Sequence, residues 1–122
     1  MTKKEIARDF LKLAANGHSH EAFRLHAGEN FKHHNAYFKG DAETLMLAME
    51  ESTRKNPNKT LTIHHILEDK DLVAVHSHLK QTPSDIGFAV VHILRFEVDK
   101  IVEFWDLGQS IPTEMINENG MF

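Results

Sequence analysis

Apolar residues change their spacing once along the chain, near residue 60: before it they recur at helical intervals, and after it they alternate. Ile6, Phe10, Leu13 and Ala14 share one face of a helix that Thr2 and Glu5 open as a capping box and Asn16-Gly17 closes. Ser19 is placed to cap a second, short helix carrying Ala22, Phe23 and His26. Phe31–Asp41, FKHHNAYFKGD, has no helical period and reads as an ordered loop with a short extended piece. Asp41 caps a third helix bearing Leu45, Met46, Ala48 and Met49, which runs to about Arg54 and stops at Asn56-Pro57-Asn58.

The second half reads as four strands. Leu61–Leu67 and Leu72–Lys80 flank a turn at Glu68–Asp71, and Gln81–Gly87 is a loop. The most informative stretch follows, Val90–Gln109, VVHILRFEVDKIVEFWDLGQ, a hairpin. Its turn decides which side chains meet. A two-residue loop, Val98–Asp99, puts His92 and Asp106 on opposite faces and forces Val98 to positive φ. A three-residue loop, Glu97–Asp99, gives the left-handed position to Asp99, which tolerates it. The three-residue loop is therefore expected. It sets His92 diagonal to Asp106 and builds an inner face of Val90, His92, Leu94, Phe96, Val102, Phe104 and Asp106.

Three helices followed by four antiparallel strands make an α+β domain spanning residues 1–122, with the helices on one face of a curved sheet and an interior pocket open at one end. The outer face would carry Val91, Ile93, Ile101 and Trp105, with Arg95 and Glu103 the polar exceptions. An apolar strip of that size calls for a cover, and a homodimer through the outer sheet face supplies one. The alternative cover is the irregular C-terminal tail.

Composition narrows the function classes. The 122 residues are 41% hydrophobic and 26% charged with a net charge of -4, so a nucleic-acid partner has no electrostatic basis. No run approaches the roughly 20 apolar residues that span a bilayer, which argues against a membrane role. The opening MTKKEIARDF carries acids and no apolar core, unlike a secretory signal. The absence of cysteine excludes thiol chemistry and fits a cytoplasmic location.

Three groups of residues could carry chemistry. His92 and Asp106 place an imidazole and a carboxylate on an apolar floor, where a carboxylate whose pKa rises toward neutrality can act as a base. The bland alternative is a buried pair that only fixes the sheet. His33-His34-Asn35 with Tyr37 forms a second group. Adjacent histidines point opposite ways, and His34, beside the donor and acceptor of Asn35, is the one expected inward. The alternative is a loop stapled by its own side chains. His76-Ser77-His78 forms the third. If that pair faced inward with His92 and Asp106, the four could hold zinc or iron; otherwise both are ordinary polar residues of an outward strand. Ten histidines in the chain give the metal reading its weight. Met46 and Met49 read as pliable core.

HHNAYFKGD, VAVHSHLK and the ending VVHILRFEVDKIVEFWDLGQ resemble the SnoaL-like polyketide cyclase branch of the nuclear transport factor two-like superfamily. The resemblance covers most of the chain and implies a cone-like (cystatin-like) fold, a deep pocket and a homodimer. It implies that Asp106 is the base of an aldol-type ring closure, aided by His92 and by Asn35 or His34. Two positions depart from the pattern: Phe104 stands where many relatives have His, and Ala36 where they have Pro. Phe96 and Phe104 are expected to narrow the pocket below the size of a four-ring polyketide.

The resulting expectation is a cofactor-free pocket protein for a small, largely apolar carbonyl compound. If it is an enzyme, Asp106 is the base, assisted by His92 and by His34 or Asn35, in an isomerase-, cyclase- or lyase-type proton abstraction. His34, Asn35, Tyr37, His78, Phe96 and Phe104 are expected to contact the ligand. The alternatives are a non-catalytic binding module and a His-rich metal-binding protein.

Overall fold

The computed structural model describes Met1–Phe122. Helices α1 (Lys3–Ala15), α2 (Ser19–His26) and α3 (Ala42–Lys55) pack on one sheet of β1 (Ala27–His33), β2 (Thr60–Asp69), β3 (Leu72–Lys80), β4 (Phe88–Glu97) and β5 (Lys100–Ser110). The sheet order is β1-β5-β4-β3-β2. Strands β2 to β5 form an antiparallel meander, and β1 joins its edge parallel to β5. The α+β class and the three helices agree with the sequence reading; the sheet has one strand more. No helix is long and apolar enough to cross a membrane.

The helix signals act locally. Glu5 N–H donates to Thr2 Oγ1 at 3.1 Å and Thr2 N–H to Glu5 Oε1 at 2.9 Å, closing the capping box. Gly17, at φ +88°, takes the backbone away from α1 just beyond the Asn16 cap. Asp41 accepts from Thr44 N–H at 3.0 Å and from its hydroxyl at 2.6 Å, which starts α3. Ser19 is not a cap. His18 holds that position, and Ser19 is the first helical residue, buried with its hydroxyl unpartnered.

The Phe31–Asp41 segment, expected as an ordered loop with a short extended piece, divides after His33. Its first three residues belong to β1, in which only Phe31 and His33 are buried. Two inward positions are too few to register as an alternation. The strand forms because β5, 71 residues later in the chain, offers it a ladder, pairing Lys32 with Glu103 and His33 with Phe104.

The β4–β5 hairpin corrects the turn. Glu97 pairs with Lys100, so the loop is the two-residue Val98–Asp99, and Val98 sits at φ +56°. Left-handed backbone costs a β-branched residue about 1–2 kcal/mol, which the long ladder on either side outweighs. The register then shifts between Phe96–Ile101 and Arg95–Glu103, leaving Val102 as a bulge. That extra residue restores the alternation which the short loop had reversed. His92 consequently stands directly opposite Asp106, rather than diagonal to it. Ile101 moves from the expected outer face into the core, and Val102 packs toward Gly28 of β1.

Val73, Val75, Leu94, Phe96, Ile101 and Phe104 line the inner face of the sheet, beneath Ile6, Phe10 and Leu11 of α1, Phe23 of α2 and Leu45 of α3. Phe10 is fully buried between Phe23 and Phe104, with ring centroids at 5.1 and 5.7 Å in edge contacts. Val91, Ile93 and Trp105 are half-buried on the outer face, and Leu107 is exposed. The C-terminal Phe122 reaches this face and stacks on His64 and His78.

Candidate functional site

A cavity of about 240 Å³ lies between α1, α3 and the sheet. Leu11, Ala14, Leu45, Met49, Leu61, Leu79 and Val90 make its walls mostly apolar. Asn35, His92 and Asp106 gather at one part of it, and Ser52 and Lys59 also face it. Its volume falls below the roughly 300–1,000 Å³ of pockets for drug-sized ligands.

The pairing of β4 with β5 brings His92 Nε2 to 3.2 Å from Asp106 Oδ1. Asn35 Nδ2 donates to the other oxygen, Oδ2, at 2.7 Å. The carboxylate is thus held from both sides, while each oxygen keeps a further lone pair for a substrate. Burial is the largest single influence on the Asp106 pKa and raises it. The hydrogen bond and charge of His92, with the Asn35 hydrogen bond, outweigh burial and leave the group below its ordinary 3.8. A rise toward neutrality does not occur, and Asp106 is an ionised carboxylate at neutral pH. The ring of His92 stacks on Phe104 at 5.3 Å. Its Nδ1 is buried without a partner, so a neutral ring is best satisfied by carrying its proton on Nε2, toward Asp106.

The inward histidine of the loop pair is His33, not His34. Strand β1 runs through His33 and buries it beside Phe31, and alternation then sends His34 outward. His33 Nε2 meets Lys39 O at 2.6 Å, and Nδ1 accepts from Asn35 N–H at 3.0 Å. This staple fixes the loop that carries Asn35 to Asp106. His34 lies on the outer face, stacked on Trp105 and 2.6 Å from Glu103 Oε2. Glu103 also accepts from Arg95 at 3.0 Å. The His34 hydrogen bond, then the Arg95 one, hold its carboxyl below the ordinary range against the opposing effect of burial.

Four more expected contacts are absent from the cavity wall. Tyr37 is 89% exposed at the loop tip, and its neighbour Phe38 lines the cavity instead. Phe104 and Phe96 are buried in the core beneath or beyond His92, leaving no surface to a ligand. His78 pairs with Ala89 and Thr62 on the outer face, with Nε2 2.8 Å from Ile86 O. His76 shares that face, so the sheet separates both from His92 and Asp106, and the four-ligand metal set does not converge. No group of three or more His, Asp or Glu side chains is arranged to hold a metal ion. Ser52 and Lys59 escaped sequence reasoning because a helix-end serine and a turn lysine look like surface residues until the fold closes over them.

A family model described as SnoaL-like polyketide cyclase matches residues 5–115. No curated protein matches the sequence at a significant level. Several solved structures share the fold. A protein from Bacillus cereus ATCC 10987, proposed to be a polyketide cyclase, superposes with a TM-score of 0.74 at 25% identity, over 85% of this chain and 72% of that one. A protein from Agrobacterium tumefaciens str. C58, proposed to be an isomerase of the SnoaL-like family, gives 0.71 at 12% identity, over 90% and 100%. A cystatin-fold protein from Novosphingobium aromaticivorans gives 0.72 at 15% identity, over 88% and 98%.

Proposed function

The chain belongs to the SnoaL-like polyketide cyclase family, and on that premise we propose that it binds a small, largely apolar carbonyl compound and abstracts a proton alpha to the carbonyl, in an isomerisation or aldol-type ring closure. One observation carries this reading: a carboxylate, Asp106, is oriented by His92 and Asn35 where they meet an apolar cavity. Asp106 takes the proton. His92 and Asn35 hold its two oxygens in place, and the Asp106 carboxylic acid so formed returns the proton, to another carbon of the enolate in an isomerisation or to the alkoxide oxygen left when the enolate carbon bonds to the acceptor carbonyl in a ring closure. A base with a lowered pKa is matched to a C–H bond that is already activated, such as one between two carbonyls. The small cavity directs the proposal to compounds well below the size of a four-ring polyketide.

We further propose that the protein acts in the cytoplasm as a homodimer, joined through Val91, Ile93, Trp105 and Leu107 of the outer sheet face. Ligand screening by thermal shift, followed by mass spectrometry for product, separates this enzyme from a pocket that only binds. Asp106→Asn then tests the mechanism. General-base catalysis contributes about 10²–10⁴-fold, so a loss of that size is expected, and turnover that survives unchanged removes Asp106 from the reaction.

A further inference from the structure

The cavity has a second polar pole. Lys59 follows the Asn56-Pro57-Asn58 turn between α3 and β2, and its half-buried ammonium donates to Ser52 Oγ. Both side chains line the cavity that holds Asp106. The ion pairs of the chain all lie elsewhere, so Lys59 has no carboxylate partner. Asp106 does not serve as its counter-ion, being engaged by His92 and Asn35. Burial alone draws the Lys59 pKa below the ordinary 10.5, with no neighbouring anion to oppose it. Withdrawing a cation from water without a counter-charge is unfavourable. A bound anion removes that penalty, and the ammonium and the Ser52 hydroxyl together offer donors for one carboxylate.

The two poles lie well apart. Leu61, two residues after Lys59, pairs with Leu79, and Leu79 pairs with Phe88. His92 is four residues farther along β4, about 13 Å of strand. Met49, Leu61, Leu79 and Val90 line the same cavity and give the intervening wall its apolar character.

We propose that the natural ligand is an oxo acid, with its carboxylate on Lys59 and Ser52, a short hydrocarbon over the apolar wall, and a 1,3-dicarbonyl whose central C–H bond lies beside Asp106. The carboxylate site rests on Lys59 and Ser52 alone; the placement of the dicarbonyl rests on the function proposed above.

The test uses a series of oxo acids of about seven to eleven carbons, each ending in a methyl ketone, because the reach of the Lys59 and Asp106 side chains shortens the backbone separation, and the methyl ketones of equal length without the carboxylate. Calorimetry on the wild type is expected to show the acid bound about tenfold or more tighter. Lys59→Met is expected to bring that preference close to unity, Lys59→Arg to retain it, and Ser52→Ala to weaken it. A wild-type titration covers the case in which a variant misfolds. The preference is expected to fade as pH rises, before the ordinary lysine value of 10.5 is reached. Equal binding of acid and ketone, binding of neither, or a preference that persists in Lys59→Met overturns the proposal. If Asp106→Asn leaves α-deuterium exchange into a β-keto ester intact while the acid preference stands, the base assignment fails and the anion site remains. The converse pair of results removes the anion site alone.

Discussion

Replacing His33 by Leu, and separately its neighbour His34 by Leu, should give opposite outcomes. His33 is 5% exposed and bridges Lys39 O and Asn35 N–H. Leucine fills much the same space but leaves both backbone groups without a partner. An orphaned buried group costs about 1–3 kcal/mol, and water reaches part of this loop, so the pair should cost about 2–3 kcal/mol. For a domain of this length the loss corresponds to a fall in Tm of about 6–12 °C. His34 is half exposed, and Glu103 keeps Arg95 when His34 is gone. Only the His34 side of this pair is exposed, and a pair of that kind contributes about 0–1 kcal/mol, so His34→Leu should melt within about 4 °C of the wild type. Differential scanning calorimetry of the three proteins gives the comparison. Equal Tm losses in the two variants, or a His33→Leu protein as stable as the wild type, would refute the assignment of His33 as the staple behind Asn35.

Val98→Gly should raise stability by about 0.5–1 kcal/mol, the relief of left-handed strain less the added chain entropy, and urea unfolding checks it; a destabilised variant contradicts the turn geometry. Asp106 has a folded pKa below its ordinary 3.8, so its ionised form contributes stability that is complete above 3.8 and is lost as pH falls through the folded value. The wild type should therefore be more stable than Asp106→Asn at pH about 7, with the gap shrinking toward pH about 3; a gap that widens in acid would mean that folding raises the Asp106 pKa. Ile93→Glu buries a charge in the proposed dimer face and should yield monomers by light scattering, whereas an unchanged dimer mass places the interface elsewhere.

Much of the fold was legible because its signals are local. Thr2 with Glu5, Asp41, and the alternation of β3 each act within a few residues, and those elements form where the pattern puts them. Distant pairing hid the rest. Strand β1 exists because β5 is beside it, and without β1 there was no alternation to distinguish His33 from His34. The shared face of His92 and Asp106 followed from the sequence by a different route from the one the chain takes. A three-residue loop and a two-residue loop with a bulge have the same parity, and Val102 carries no sequence sign of being a bulge. Lys59 is a further instance, since only the packing of α1 on β2 and the hydrogen bond back to Ser52 of α3 turn a surface-type lysine into a cavity wall.

Abstraction of a proton by Asp106 from a carbonyl compound in the cavity is read out by deuterium exchange. An alkyl-substituted β-keto ester is incubated in D₂O with the wild type and with Asp106→Asn, and exchange above the buffer background is followed by mass spectrometry. Exchange by the wild type is expected, with a rate lower by about 10²-fold or more in Asp106→Asn. Equal rates in the two proteins, with the ester shown to bind both, would contradict abstraction by Asp106.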